Sequence, residues 1–150
     1  MKVSYVDSNL LDGERIVRRF EWHWVCMIGV YILYFLSIIT FGALLPIALI
    51  VHLVVYLGLK SSEAAITDQR LIMKVGLIKR ETLECPLDQI TQIRVSQGIL
   101  ERFVNSGKLV FKVDGEEHST KLSLKDPNLV KQSLAQAVSD YKKHLYSGAK

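Results

Sequence analysis

A chain of 150 residues has the length of one ordinary domain, and 19 Lys and Arg against 15 Asp and Glu leave a formal charge of only +4. That excess is too small and too dispersed to argue for nucleic acid, and it suits a protein near an anionic surface. The two cysteines, Cys26 in an apolar run and Cys85 in a polar one, lie in different environments and give no disulfide framework.

Residues 1–21 form a polar, charged segment containing "GERIVRRFEW". Its apolar positions Ile16, Val17 and Phe20 fit neither the helical nor the strand period, so a strand and a short interfacial helix both stay open. The segment lacks the apolar core and cleavage site of a signal peptide, and the apolar run that follows should therefore remain in the mature protein.

From Trp22 to Leu59 there are 38 residues without Asp, Glu, Lys or Arg. A hydrocarbon core ~30 Å thick takes about 20 helical residues to cross, so this run is too long for one span and suits two short ones. Gly42 and Pro46 in "ITFGALLP" weaken helix continuity, and Thr40 can satisfy a freed backbone group. The expectation is a transmembrane helical hairpin over 22–59, with spans at about 24–40 and 44–59. A hairpin buried inside the protein would need more covering chain than the remaining residues supply. Arg15, Arg18 and Arg19 before the first span, Lys60 after the second and an uncharged connection predict a multi-pass inner-membrane protein with both termini cytoplasmic. Trp22, His23 and Trp24 read as a membrane-interface aromatic cluster.

His52 is an ionisable group in the middle of the second span. Antiparallel packing puts it at the depth of Tyr31 to Tyr34, which predicts a hydrogen bond from imidazole to a tyrosine hydroxyl. Contact with a partner helix, and haem binding or proton transfer, are its other readings. Haem would want a second axial ligand at similar depth, whereas His23 sits near the interface.

Beyond Lys60 the pattern changes to short runs rich in Ile, Val, Leu and Thr, the signature of strands. "AAITD" and "RLIMKVG" are separated by an Asp68-Gln69 turn; in the second run Leu71, Met73 and Val75 share one face and Arg70 and Lys74 the other. Gly76 permits a tight reversal into "LIKRETLE". "QITQIRVS" alternates again, with Ile90 opposed to Ile93 and Val95. After an irregular "QGILERFVNSG" come "KLVFKVD" and "EHSTKLSL", joined by an Asp114-Gly115 turn. About six strands with short connections predict a meandering antiparallel sheet. Asp126 as N-cap, Pro127 in the first turn, and Val130, Leu134, Ala137, Val138, Tyr141 and Leu145 at three-to-four-residue steps predict a helix over 127–146. It should pack over the sheet within a unit spanning 60–150.

The order of charged segment, uncharged run, strands and capped terminal helix resembles the bacterial pleckstrin-homology-like (bacterial PH domain) membrane proteins. The resemblance rests on Thr67, Asp68, Arg70, Leu71, Ile72 and Gly76, then Leu87, Ile90, Ile93, Val95 and Gln97, then Gly107. It implies an α+β fold: a two-helix transmembrane hairpin followed by a pleckstrin-homology-like antiparallel β-barrel or sheet of seven strands, closed by a C-terminal capping helix. One strand is left unplaced, and "GERIVRRF" and part of "QGILERFVN" are its two candidates.

Arg70, Lys74, Lys79 and Arg80 loosely resemble the basic cluster on the first hairpin of lipid-binding pleckstrin-homology domains. Phosphate recognition needs several converging donors. Glu81 and Glu84 follow closely, and three readings stay open: headgroup binding, general attraction to anionic lipid, and solvated strand positions. Asp68 reads as a turn cap and Arg70 as the partner of Asp88 or Glu84. No glycine-rich phosphate loop, CxxC, HExxH or GxSxG is present, and the four histidines are scattered. The expectation is a non-enzymatic inner-membrane protein without cofactor or metal. Its cytoplasmic pleckstrin-homology-like domain would act as a protein-binding adaptor or accessory subunit of a membrane complex, with a protein partner or homo-oligomer. The alternative is binding of anionic membrane lipid through Arg70, Lys74, Lys79 and Arg80.

Overall fold

The structure, a computed structural model, describes residues 4–76 and 80–147. A one-turn helix α1 (Tyr5–Ser8) precedes strand β1 (Ile16–Arg19). A 3-10 turn (Trp24–Met27) then leads into helices α2 (Ile28–Ile39) and α3 (Leu45–Ser61). Strands β2 (Glu63–Thr67), β3 (Arg70–Val75), β4 (Glu81–Pro86) and β5 (Ile90–Ser96) follow. The five-residue helix α4 (Ile99–Phe103) separates β5 from β6 (Ser106–Val113), and β7 (Glu116–Ser119), a short β8 (Leu124–Lys125) and helix α5 (Pro127–Ser147) complete the chain.

The strands form two antiparallel sheets. One has the order β1-β2-β3-β4; the other runs β5-β6-β7, with β8 also paired to β6. Short strands with one apolar face bury that face between two layers and leave the polar face outside. Leu71 and Met73 of β3, Cys85 of β4, and Leu109 and Phe111 of β6 meet Val130, Leu134 and Ala137 of α5 in the main core. A second, smaller interior forms on the outer face of the first sheet, where Val6 of α1 covers Ala65 and Ile72.

The strand left unplaced in the sequence is β1, from "GERIVRRF", whereas "ILERF" is helical. β1 pairs with β2 across all of the residues between them: the Phe20 N–H donates to the Ala64 carbonyl at 2.8 Å and the Trp22 indole N–H to the Ser62 carbonyl at 2.7 Å. The α2–α3 hairpin is therefore an insertion in the connection of an ordinary β-hairpin.

Two membrane-crossing helices are not what the uncharged run forms. Among the described residues no helix is long and apolar enough to cross a membrane. The 12 residues of α2 and 17 of α3 span about 18 and 26 Å at helical rise, against the ~30 Å of a hydrocarbon core. Local chemistry shortens them. Trp24–Met27 winds as a 3-10 turn instead of extending α2. At the other end the Thr40 hydroxyl and N–H both turn back to the Leu36 carbonyl, and Phe41 and Gly42 take left-handed φ values of 49° and 86°. The transmembrane hairpin, and with it the multi-pass inner-membrane placement with cytoplasmic termini, is thereby overturned; the two pleckstrin-homology-like antiparallel sheets and the C-terminal helix stand.

Candidate functional site

α2 and α3 pack against each other, and each carries buried positions: Ser37 and Val30 of α2 and Ala48 of α3 are 0–3% exposed. The hydroxyl of Tyr34 lies 3.2 Å from Nδ1 of His52, joining the two helices by a polar contact. Tyr31, one turn away, is exposed. The outer surfaces are apolar. Ile32, Phe35, Ile38 and Ile39 on α2 are 55–77% exposed. On α3, Leu45, Ile47, Leu49, Ile50, Val51, Leu53 and Val54 are exposed as well, covering about two-thirds of the helix circumference at 100° per residue. At the base, Trp22 packs on the core, His23 donates its N–H to the Ser123 carbonyl at 2.9 Å while its Nδ1 accepts from the Val25 N–H, and Trp24 is half exposed.

The basic residues of β3 do not converge. Arg70 faces Glu14, whose side chain is wholly buried. Its Nε and Nη2 reach the two Glu14 carboxylate oxygens at 3.1 Å each, its Nη1 reaches Glu84 at 2.6 Å, and Nη2 also donates to the Asn9 carbonyl. Glu14 further accepts from the Thr67 hydroxyl at 2.6 Å and the Leu11 N–H at 2.8 Å. Burial alone would raise its pKa, but the Arg70 guanidinium and these donors outweigh burial and hold it below the ordinary carboxylate value. Lys74 lies 4.4 Å over the Tyr5 ring. Arg80 is exposed, and Lys79 lies outside the described residues.

A third feature sits at the hairpin base. Glu101 of α4 folds back, accepting the Gly98 N–H at 2.9 Å and the Ser123 hydroxyl at 2.6 Å, and the first of these leads in holding its pKa low. The Ser123 carbonyl also receives the Cys26 thiol at 3.6 Å, so α4 and the start of the hairpin share one anchor. With Glu101 pinned inward, Ile99, Leu100 and Phe103 point outward at 81%, 74% and 85% exposure. Between β4 and β7 a cleft of about 210 Å³ opens over Met73, Val75 and Leu83, with the Lys121–Glu81 ion pair at its rim. It is smaller than the ~300 Å³ at which small-molecule sites usually begin.

A family model described as Bacterial PH domain matches residues 23–142, which takes in the α2–α3 hairpin, β2 to β8 and most of α5. The chain belongs to the bacterial PH domain family. No curated protein and no solved structure matches it.

Within this bacterial PH domain the "TDQR" turn is internal wiring. The Thr67 oxygen accepts the Arg70 N–H at 2.9 Å, and Asp68 exchanges backbone contacts with Arg15, its Oδ1 accepting the Arg15 N–H at 3.0 Å. Of the candidate residues, Tyr34 and His52 are brought together; Arg70 and Lys74 are turned to separate partners. Sequence reasoning missed Glu14 and the α4 trio. Glu84, one of the two carboxylates expected opposite Arg70, does pair with it, but Glu14 lies 56 residues away and in "GER" looks like any solvated glutamate. Five residues of α4 are too few to show a period.

Proposed function

We propose that this bacterial PH domain protein is a non-enzymatic accessory subunit or adaptor, and that its α2–α3 hairpin seats in an apolar groove of a larger partner protein. One observation carries this: large apolar side chains are exposed around about two-thirds of α3 and nearly half of α2, without a charge from Trp22 to Leu59. A helix that is apolar on all sides is stable only when covered on all sides. A second copy laid against one face would leave the others in water, which favours a partner large enough to surround the hairpin. The Tyr34–His52 contact gives the pair a fixed register between the helices. Binding without chemistry is the usual work of pleckstrin-homology-like domains, and Glu14, Arg70 and Thr67 are spent on holding the fold.

Photocrosslinking residues placed at Phe41 and Ile50 test this in the native host. Phe41 is the hairpin tip and fully exposed. Both positions should give one discrete protein adduct, while a crosslinker at Lys143 on α5 should not. Adducts formed only with a second copy of the chain, or only with lipid, would end the adaptor reading.

A further inference from the structure

The α4 tip has an architecture of its own, anchored at Ser123 together with the start of the hairpin. At 100° per residue Arg102, Ile99, Phe103 and Leu100 follow one another across one arc of the helix, and Glu101 alone points the opposite way, into its contacts with Gly98 and Ser123. The outward arc is thus three large apolar side chains edged by a cation. Lys108, on the adjoining start of β6, is exposed and close enough to Glu101 to help keep it ionised, and among the described residues neither Arg102 nor Lys108 enters an ion pair.

The geometry points to α4 as a wedge that docks on the surface of an anionic lipid bilayer, with Ile99, Leu100 and Phe103 entering the headgroup boundary and Arg102 and Lys108 meeting lipid phosphates. Two features favour lipid over a protein here. A five-residue tip is far smaller than the ~800 Å² that each side of a standard protein interface buries. Its charge also matches: the only acid on the helix is turned inward and kept ionised by its donors, leaving cations at the exposed rim, the arrangement that anionic interfaces attract. The Gly98–Glu101 and Ser123–Glu101 bonds fix the tip, so the wedge is preformed.

The test uses the full chain with Cys26→Ala and Cys85→Ala and a nitroxide at Leu100→Cys. It is transferred from detergent into suspensions of phosphatidylcholine vesicles with or without phosphatidylglycerol. With phosphatidylglycerol, the label should lose its collisions with a water-soluble nickel chelate and gain collisions with oxygen. A label at Lys143→Cys should stay in water throughout. Changing Arg102→Glu together with Lys108→Glu should abolish the shift at position 100. In the unmodified chain, slowed amide hydrogen exchange over 99–103 on the same vesicles gives an answer free of substitutions. Continued water access at position 100 on phosphatidylglycerol overturns the proposal, and so does a shift that persists on phosphatidylcholine alone or in the double variant. Dipolar coupling between two labels at position 100 before lipid is added overturns it too, since α4 would then be covered by a second copy. None of these outcomes bears on the crosslinks at Phe41 and Ile50, so the two proposals fail separately.

Discussion

Arg70 and Glu14 illustrate how much a single residue holds in this fold. Removing one partner of a buried ion pair leaves the other charge without compensation, which costs ~3 to 5 kcal/mol when both are fully buried. The Arg70 side chain retains 17% exposure, so Arg70→Ala should fall at the lower end, about 3 kcal/mol, measured by urea unfolding of the chain. A loss below that of an ordinary surface substitution would mean that Glu14 simply takes a proton. The pH dependence has a definite sign. Glu14 and Glu101 both titrate below their ordinary value of 4.5 in the folded state, so as pH falls the unfolded chain binds protons first. The stability they add is complete above that value and is lost as pH drops through their folded pKa values. Unfolding midpoints measured from neutral pH down to about 3 should therefore decline below about 4.5, and Glu14→Gln should flatten part of that decline. The sequence could show that Arg70 wants a carboxylate and that Glu84 is one within reach; it could not show Glu14, because that pairing depends on β1 crossing back to lie against β2.

At the scale of elements, the β5–α4–β6 connection shows what pattern reading catches and what it misses. Gly107, part of the pattern that led to the family, has a physical reason to be glycine: a Cβ there would sit 2.5 Å from Gln97 Cγ and 2.9 Å from the Ser96 carbonyl oxygen. The second contact is backbone, within the strand pair that holds α4, and cannot swing aside. Gly107→Ala should cost about 2 kcal/mol, as overpacking does. At Gly98 a Cβ would meet only Glu101 Oε2, at an ordinary 3.6 Å, so Gly98→Ala should change the thermal midpoint little. Equal effects of the two substitutions would show that the Gly107 contact relaxes freely. The alternation expected for β5 set Ile90 against Ile93 and Val95, yet all three face the core. The register against β6 shifts between Ile90 and Gln92, and an extra residue of this kind returns Ile93 and Val95 to the face of Ile90. A bulge leaves a pattern that two-residue periodicity misreads.

For the molecule as a whole, the largest departure from the sequence reading concerns the uncharged run, and its cause is where the hairpin is attached. Composition measured how apolar residues 22–59 are; it could not measure how many of them the caps would take out of the helices. Nor could it show that the run interrupts a β-hairpin, because that requires knowing that β1 and β2 are neighbours. The topology makes a strong prediction. The main core and the side chains packed on it draw on Phe20 and Trp22 before the hairpin and on Ala64 after it, but on nothing from 24 to 61. Val30, Ser37 and Ala48 are buried within or beside the hairpin instead. Replacing residues 24–60 by an Asn-Gly turn, which suits two antiparallel strands, should leave a chain whose sheets and α5 unfold in one cooperative urea transition. Lengthening a loop costs only ~0.6 kcal/mol per doubling, so removing this long one should not destabilise the remainder. The shortened chain should also run as a single species in gel filtration without detergent, since the exposed faces of α2 and α3 go with the deletion. A broad transition, or aggregation equal to that of the full chain, would place part of the interior in the hairpin and reject this division of the molecule into a self-sufficient pleckstrin-homology-like body and an inserted apolar arm.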